Sequence, residues 1–144
     1  MASAQGRLWI GTSGYQYDHW RSRFYPEDLP KKRWFEHYAR RFDSVEINSS
    51  FYRLPEIQTF ETWRQQAPTG FLYALKFSRY GTHIKRLREP EETIGRFVER
   101  ARHLRDHLGP VLVQLPPRFG FNSRCEDSLS TTAPLAIVGG TVLF

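Results

Sequence analysis

Residues 44–55 read SVEINSSFYRLP. The stretch looks like a short strand with Glu46 inside it. Asn48, Ser49, Ser50, Tyr52 and Arg53 crowd directly behind, all able to bind hydrogen or charge. A surface loop would account for so many polar groups. The pattern on either side points to something more ordered.

Upstream, DLPKKRWFEHYARRF (28–42) carries Trp34, Phe35, Tyr38, Ala39 and Phe42 at helical spacing, with Pro30 suited to its first turn. Before it, RLWIG (7–11) reads as a buried strand halted by TSG. Downstream, EIQTFETWRQQAP (56–68) sets Ile57, Phe60, Trp63 and Ala67 on one side of a helix, and FLYALKF (71–77) reads as a strand. A third helix, EPEETIGRFVERARHLRDHLGP (89–110), aligns Ile94, Phe97, Val98, Ala101, Leu104 and Leu108. Its acidic residues lead and its basic residues follow, as the helix dipole favours, and Gly109 with Pro110 should stop it. VLVQL (111–115) is a fourth strand.

Strands alternating with amphipathic helices predict parallel pairing through right-handed crossovers. In such sheets function gathers at the carboxyl ends of the strands. NSSFYR lies at one of those ends. GTSGYQYDHW, KFSRYGTHIKR and QLPPRF lie at the other three. All four segments hold small, polar, aromatic or basic residues, so a site is expected on that edge.

The chain of 144 residues is long enough for one domain with a core, and 15% aromatic content predicts a core of large rings. The formal charge of +6 would attract phosphates, nucleic acid or acidic surfaces, although much of it sits beside Glu on helices. A single cysteine, Cys125, excludes an internal disulfide framework and a multi-cysteine metal cluster. No apolar run approaches the roughly 20 residues of a membrane span, and MASAQGRLWIG lacks signal-peptide regions. A cytoplasmic location is the default expectation.

Four segments, IGTSGYQYDHWRSRFYPEDLP, YARRFDSVEINSSFYRLP, FLYALKFSRYGTHIKRL and LGPVLVQLPPRF, resemble domain of unknown function 72, also called YecE-like. The resemblance runs over about residues 7–119. It implies a (β/α)-barrel of the TIM type and a site at the carboxyl edge of the strands, but no reaction. Past Phe119 the resemblance stops: the family's Glu-Phe-Arg-His type motif at a fifth strand is missing from GFNSRCEDSLSTTAPLAIVGGTVLF. The expected organisation is therefore an α/β, partial TIM-like barrel of about four parallel strands over 1–119. A divergent tail over 120–144 follows, expected as a truncated or frame-shifted product or as a divergent end. It is either disordered or a hairpin, since LAIVGGTVLF places two apolar runs around Gly139-Gly140.

Glu46 and Lys76 fall on successive strands, which lie about 4.8 Å apart in a parallel sheet. They are candidates for proton transfer or a substrate clamp, and equally for a structural ion pair inside the barrel. Arg53, Arg79 and Arg118 follow strands two, three and four, where converging guanidinium groups would suit a phosphate or carboxylate. Taken singly, each is an ordinary surface arginine. GTSG could offer backbone N–H groups to an anion or be a plain turn, and Ser13 has little claim as a nucleophile. Tyr15 and Tyr52 are the rings expected to face a pocket. Tyr17, Trp20 and Phe51 are expected mostly in the core. Asn48 and Gln114 could orient a ligand. His83 is a loop histidine, site or solvated. His103 and His107 have metal-pair spacing but read as surface residues.

These patterns predict binding of an anionic or phosphorylated small ligand, with cofactor and reaction unassigned. Two alternatives stand beside it: a nucleic-acid-binding or phosphodiesterase-like barrel, and a fragment without activity that self-associates through its open edges. No metal centre is expected.

Overall fold

The computed structural model describes residues 6–120, 136–138 and 141–143. Its first strand, β1, is Gly11–Ser13, and helix α1 is Trp34–Ala39. Strand β2 (Ser44–Ile47) leads into the one-turn helix α2 (Ser49–Tyr52) and then α3 (Ile57–Gln66). Strand β3 (Leu72–Lys76) is followed by a π-turn at Tyr80–Ile84 and by α4 (Pro90–Ala101). Strand β4 is Leu108–Gln114. The pairs β1–β2, β2–β3 and β3–β4 are all parallel, so four strands alternating with helices form part of a TIM-like barrel wall.

Alternation along the strands divides the sheet into two faces. Val45, Ile47, Tyr73, Leu75, Val111 and Val113 are buried against Phe35, Tyr38, Phe60, Phe97 and Leu104 from the helical layer. The register Ser13↔Glu46↔Ala74 and Lys76↔Leu112 sends Ser13, Glu46, Ala74, Lys76 and Gln114 to the opposite face, the inside of the barrel. Sequence thus determines the layering: rings and branched residues meet the helices, and the polar residues line the concave side.

The expected aromatic core is present. Tyr25 stacks on Trp34 with centroids 4.3 Å apart and planes 7° apart, and its hydroxyl donates to the Tyr15 carbonyl at 2.6 Å. This packing anchors the long connection between β1 and α1. The Tyr38 hydroxyl accepts the Thr12 N–H and donates to the Ser44 carbonyl, both at 2.8 Å, tying α1 to two strands at once.

Three boundaries differ from the sequence expectation. The strand expected at 7–11 begins only at Gly11; Leu8 and Ile10 are exposed. That segment is held instead by side-chain bonds, Trp9 Nε1 to the Gly70 carbonyl and Ile10 N–H to Asp43 Oδ1. The first helix is shorter than 28–42: Pro30 caps a 3₁₀ turn at Lys31–Arg33, and Phe42 packs on Tyr38 from beyond the helix end. The third helix gives way to a 3₁₀ segment, Arg102–His107, broken at Arg105 by a φ of 51°. Gly109 and Pro110 therefore lie in β4 and not in a helix stop. Pro110 is exposed on the strand, where its missing N–H is tolerated.

The tail is not wholly irregular. Strands β5 (Ala136–Val138) and β6 (Thr141–Leu143) form an antiparallel pair, and β6 adds antiparallel to β4 with Leu112↔Leu143 and Gln114↔Thr141. The sheet order is β1-β2-β3-β4-β6-β5. The turn expected at Gly139-Gly140, and Cys125, fall outside the described residues.

Candidate functional site at the carboxyl edge

The opening segment becomes a corner. β2 ends at Ile47, and α2 starts two residues later. The Ser50 side chain is fully buried beneath this corner. Its hydroxyl lies 3.0 Å from the Ile47 carbonyl and 2.7 Å from the Lys76 carbonyl, and accepts the Lys76 N–H at 3.2 Å. One short side chain thus locks the carboxyl ends of β2 and β3 together.

On the other side of β2, Asn48 Nδ2 donates to Ser13 Oγ at 2.7 Å, and the Gly14 N–H donates to the Glu46 carbonyl at 2.9 Å. Gly14 has φ 75°, and an added Cβ would meet the Tyr17 hydroxyl, so the turn needs glycine. Tyr17 in turn donates to the Ser13 carbonyl. A cleft of about 170 Å³ opens here, lined by Gly14, Tyr15, Tyr17, Glu46, Asn48 and Ser49. Tyr15 also packs edge-on to Phe35 at 5.4 Å, and burial raises its hydroxyl pKa. It bridges core and cleft. Tyr52 does neither: it is 75% exposed and touches the edge of Phe51.

Glu46 and Lys76 share the concave face, as the register requires, but the anticipated ion pair between them is not formed. Lys76 Nζ sits over the Phe51 ring instead, 5.0 Å from its centroid. His83 meets the same ring edge-on at 5.5 Å. Burial, then the nearby charges of Arg79 and Lys76, hold the His83 imidazole below the ordinary histidine range. Phe51 therefore carries Lys76 and His83, and the charges of both Arg79 and Lys76 reach the His83 ring. The Thr82 side chain is fully buried; its hydroxyl is 2.8 Å from His83 Nδ1 and 3.2 Å from the Ser78 carbonyl. Arg53, Arg79, Arg118 and Gln114 are all exposed at the strand ends, and Arg118 has a left-handed φ of 59°. Among the described residues no hydrogen bond or ion pair joins the three arginines to one another, and the charge of Arg79 acts on His83.

Sequence reasoning passed over Ser50 and gave His83 no preference over a solvated residue. The signal for Ser50 was its place immediately after a strand, where a small hydroxyl residue can turn back on the sheet. The signal for His83 was Thr82 beside it. His103 and His107 differ from the surface reading: His103 Nδ1 is 3.2 Å from Glu61 Oε1, and His107 Nδ1 is 2.8 Å from the Phe71 carbonyl. They bind the 3₁₀ segment to α3 and to the start of β3. Among the described residues, no group of three or more His, Cys, Asp or Glu is placed to hold a metal ion.

The family model for "Protein of unknown function DUF72" matches residues 9–137. The chain belongs to the DUF72 family. It is 34% identical over 85 residues to the UPF0759 protein YecE of Escherichia coli K12, covering 59% of this chain and 31% of that protein. A DUF72 family protein of Thermotoga maritima has a TM-score of 0.68 at 26% identity, covering 85% of this chain and 49% of that one. One from Enterococcus faecalis superposes with a TM-score of 0.60 at 21% identity, over 85% of this chain and 45% of its own, a likeness of fold. This DUF72 chain thus spans about half the length of the solved relatives and about a third of the curated one. The match to the family model extends into the segment beyond Phe119 where the quoted motifs end. Among the described residues, no helix is long and apolar enough to cross a membrane.

Proposed function

We propose that the carboxyl edge of this DUF72 chain binds a small anionic ligand of the phosphate type. The observation that carries the reading is a cationic pair, Lys76 and Arg79, whose charges both act on His83, with Lys76 and His83 on the Phe51 ring. Some basic side chains among the described residues are matched, Lys31 with Asp18, Arg33 and Arg40 with Glu36, Lys85 with Glu89, and Arg100 with Glu56, while others stand apart from any carboxylate. Lys76 and Arg79 enter no such pair, although Glu46 stands on the same face as Lys76. Two cations close to a neutral imidazole create a local potential that an oxyanion relieves, through charge-assisted hydrogen bonds of about 1.5–3 kcal/mol each. Asn48 and Ser13, already bonded to each other beside the cleft, supply neutral polar groups to orient the remainder of a ligand. Glu46 is the acid–base candidate of the same face.

Titration calorimetry with inorganic phosphate tests this. Lys76→Met and Arg79→Ala are each expected to weaken binding about tenfold or more, and Arg102→Ala, on the far 3₁₀ segment, to leave it unchanged. Absence of phosphate binding by the unaltered chain refutes the reading. The nucleic-acid alternative draws support from Tyr52 and Tyr80, exposed at 75% and 51% beside Arg53 and Arg79. A steep fall in oligonucleotide affinity with added salt, several phosphates' worth, would favour it.

A further inference from the structure

The π-turn at Tyr80–Ile84 comes three residues after β3 and sets His83 edge-on against Phe51. Such turns are rare and frequent at functional sites. The imidazole is oriented from behind by a side chain with no access to solvent. The Thr82 hydroxyl has one proton and two neighbours, the Ser78 carbonyl at 3.2 Å and His83 Nδ1 at 2.8 Å. A carbonyl only accepts. With the Thr82 proton on Ser78, His83 Nδ1 is the donor to Thr82 Oγ1, and the neutral ring presents an unprotonated Nε2. That nitrogen is an acceptor in a group otherwise made of donors, since Lys76 and Arg79 can only donate.

We propose that His83 is a ligand-binding residue whose Nε2 accepts a hydrogen bond from a hydroxyl of the ligand. The ligand class is then a small phosphate or carboxylate bearing a hydroxyl group near its charged end. The inference rests on the anion site proposed above and adds a requirement to it. Lys76 and Arg79 take the oxyanion; His83 reads the neighbouring hydroxyl. A bare anion satisfies only the first part. An analogue without the hydroxyl leaves Nε2 unpaired and loses the corresponding bond.

Glycerol 3-phosphate and n-propyl phosphate are the discriminating probes, with inorganic phosphate as the reference, all measured by titration calorimetry on the full chain. Glycerol 3-phosphate is expected to bind about tenfold more tightly than propyl phosphate. His83→Ala is expected to abolish that preference while phosphate binding persists. Equal affinities for the two esters, or a preference that survives His83→Ala, overturns the role of His83 and leaves the anion site standing. Failure of phosphate and both esters to bind removes the anion site and this inference together. A separate readout needs no ligand: ¹⁵N chemical shifts of His83 are expected to show the Nδ1–H tautomer, and the Nε2–H tautomer overturns the proposal. Thr82→Val should shift that tautomer balance without unfolding the chain, as judged by unchanged amide spectra elsewhere.

Discussion

The buried hydroxyl of Ser50 lies 2.7 Å from the carbonyl oxygen of Lys76 and accepts that residue's N–H at 3.2 Å. It connects the corner after β2 to one member of the cationic pair, so the two halves of the edge share one fastening.

Ser50→Ala is expected to lower stability by about 1–3 kcal/mol, the scale for leaving buried backbone groups unpaired. Urea denaturation followed by tryptophan fluorescence measures it. A loss below about 0.5 kcal/mol would show that water replaces the hydroxyl.

Gly11→Ala should be more damaging than an ordinary surface change. An added Cβ would lie far inside contact distance of the Ser44 carbonyl, on the neighbouring strand. Overpacking of this kind costs about 1–3 kcal/mol or more, and here the obstacle is backbone that cannot rotate away. A lowered melting temperature by circular dichroism is the expected result.

His83 should titrate below its ordinary value of 6.5. Burial comes first among the causes, then Arg79 and Lys76, the charged groups that face it. Because the folded pKa is depressed, the unfolded chain takes up the proton first. The contribution to stability is therefore present above pH 6.5 and is lost as pH falls through that value toward the folded pKa. Following the His83 ring resonances with pH checks the shift. Arg79→Ala and Lys76→Met should each raise the midpoint, and a midpoint indifferent to both would dissolve the cationic pair.

Self-association is expected at the β1 edge. No strand pairs with its outer side among the described residues, and Leu8 and Ile10, just before it, are 76% and 58% exposed. Open edges beside apolar side chains recruit other chains. Light scattering should show oligomers that a Leu8→Lys, Ile10→Lys variant reduces. A well-dispersed monomer at high concentration argues that the edge is harmless.

Much of the fold was legible because its layering follows simple periods. Ile94, Phe97, Ala101 and Leu104 recur at helical spacing and are all buried. Val45 and Ile47 alternate with Glu46, and the parallel register then puts Glu46 and Lys76 on one face. Their distance was not legible, because it depends on side-chain torsions: Lys76 turns toward Phe51, a contact that strand spacing does not encode. The start of β1 was misplaced for a related reason. Leu8, Trp9 and Ile10 have the composition of a buried strand, but burial needs a neighbour. Gly109-Pro110 reads as a helix stop, yet the backbone had already turned at Arg105, a residue type with no preference for a positive φ. At the site, loops after successive strands had to be neighbours, which made Ser13 and Asn48 accessible to reasoning. The Ser50 fastening depends on a turn one residue later, below the precision of sequence patterns.

The antiparallel seating of β6 on β4 carries a consequence for fragment complementation. In a (β/α)-barrel the neighbour of the fourth strand is a parallel fifth. Here that edge is taken by a strand of opposite sense, tethered to the same chain through residues 115–140. A competitor carried on the same chain meets that edge without any concentration cost of its own, whereas a separately supplied remainder of the barrel has to be present at high enough concentration to displace it from the same hydrogen-bonding groups. Deleting residues 136–144 would lift that handicap, so the shortened chain should capture such a remainder more readily than the intact one.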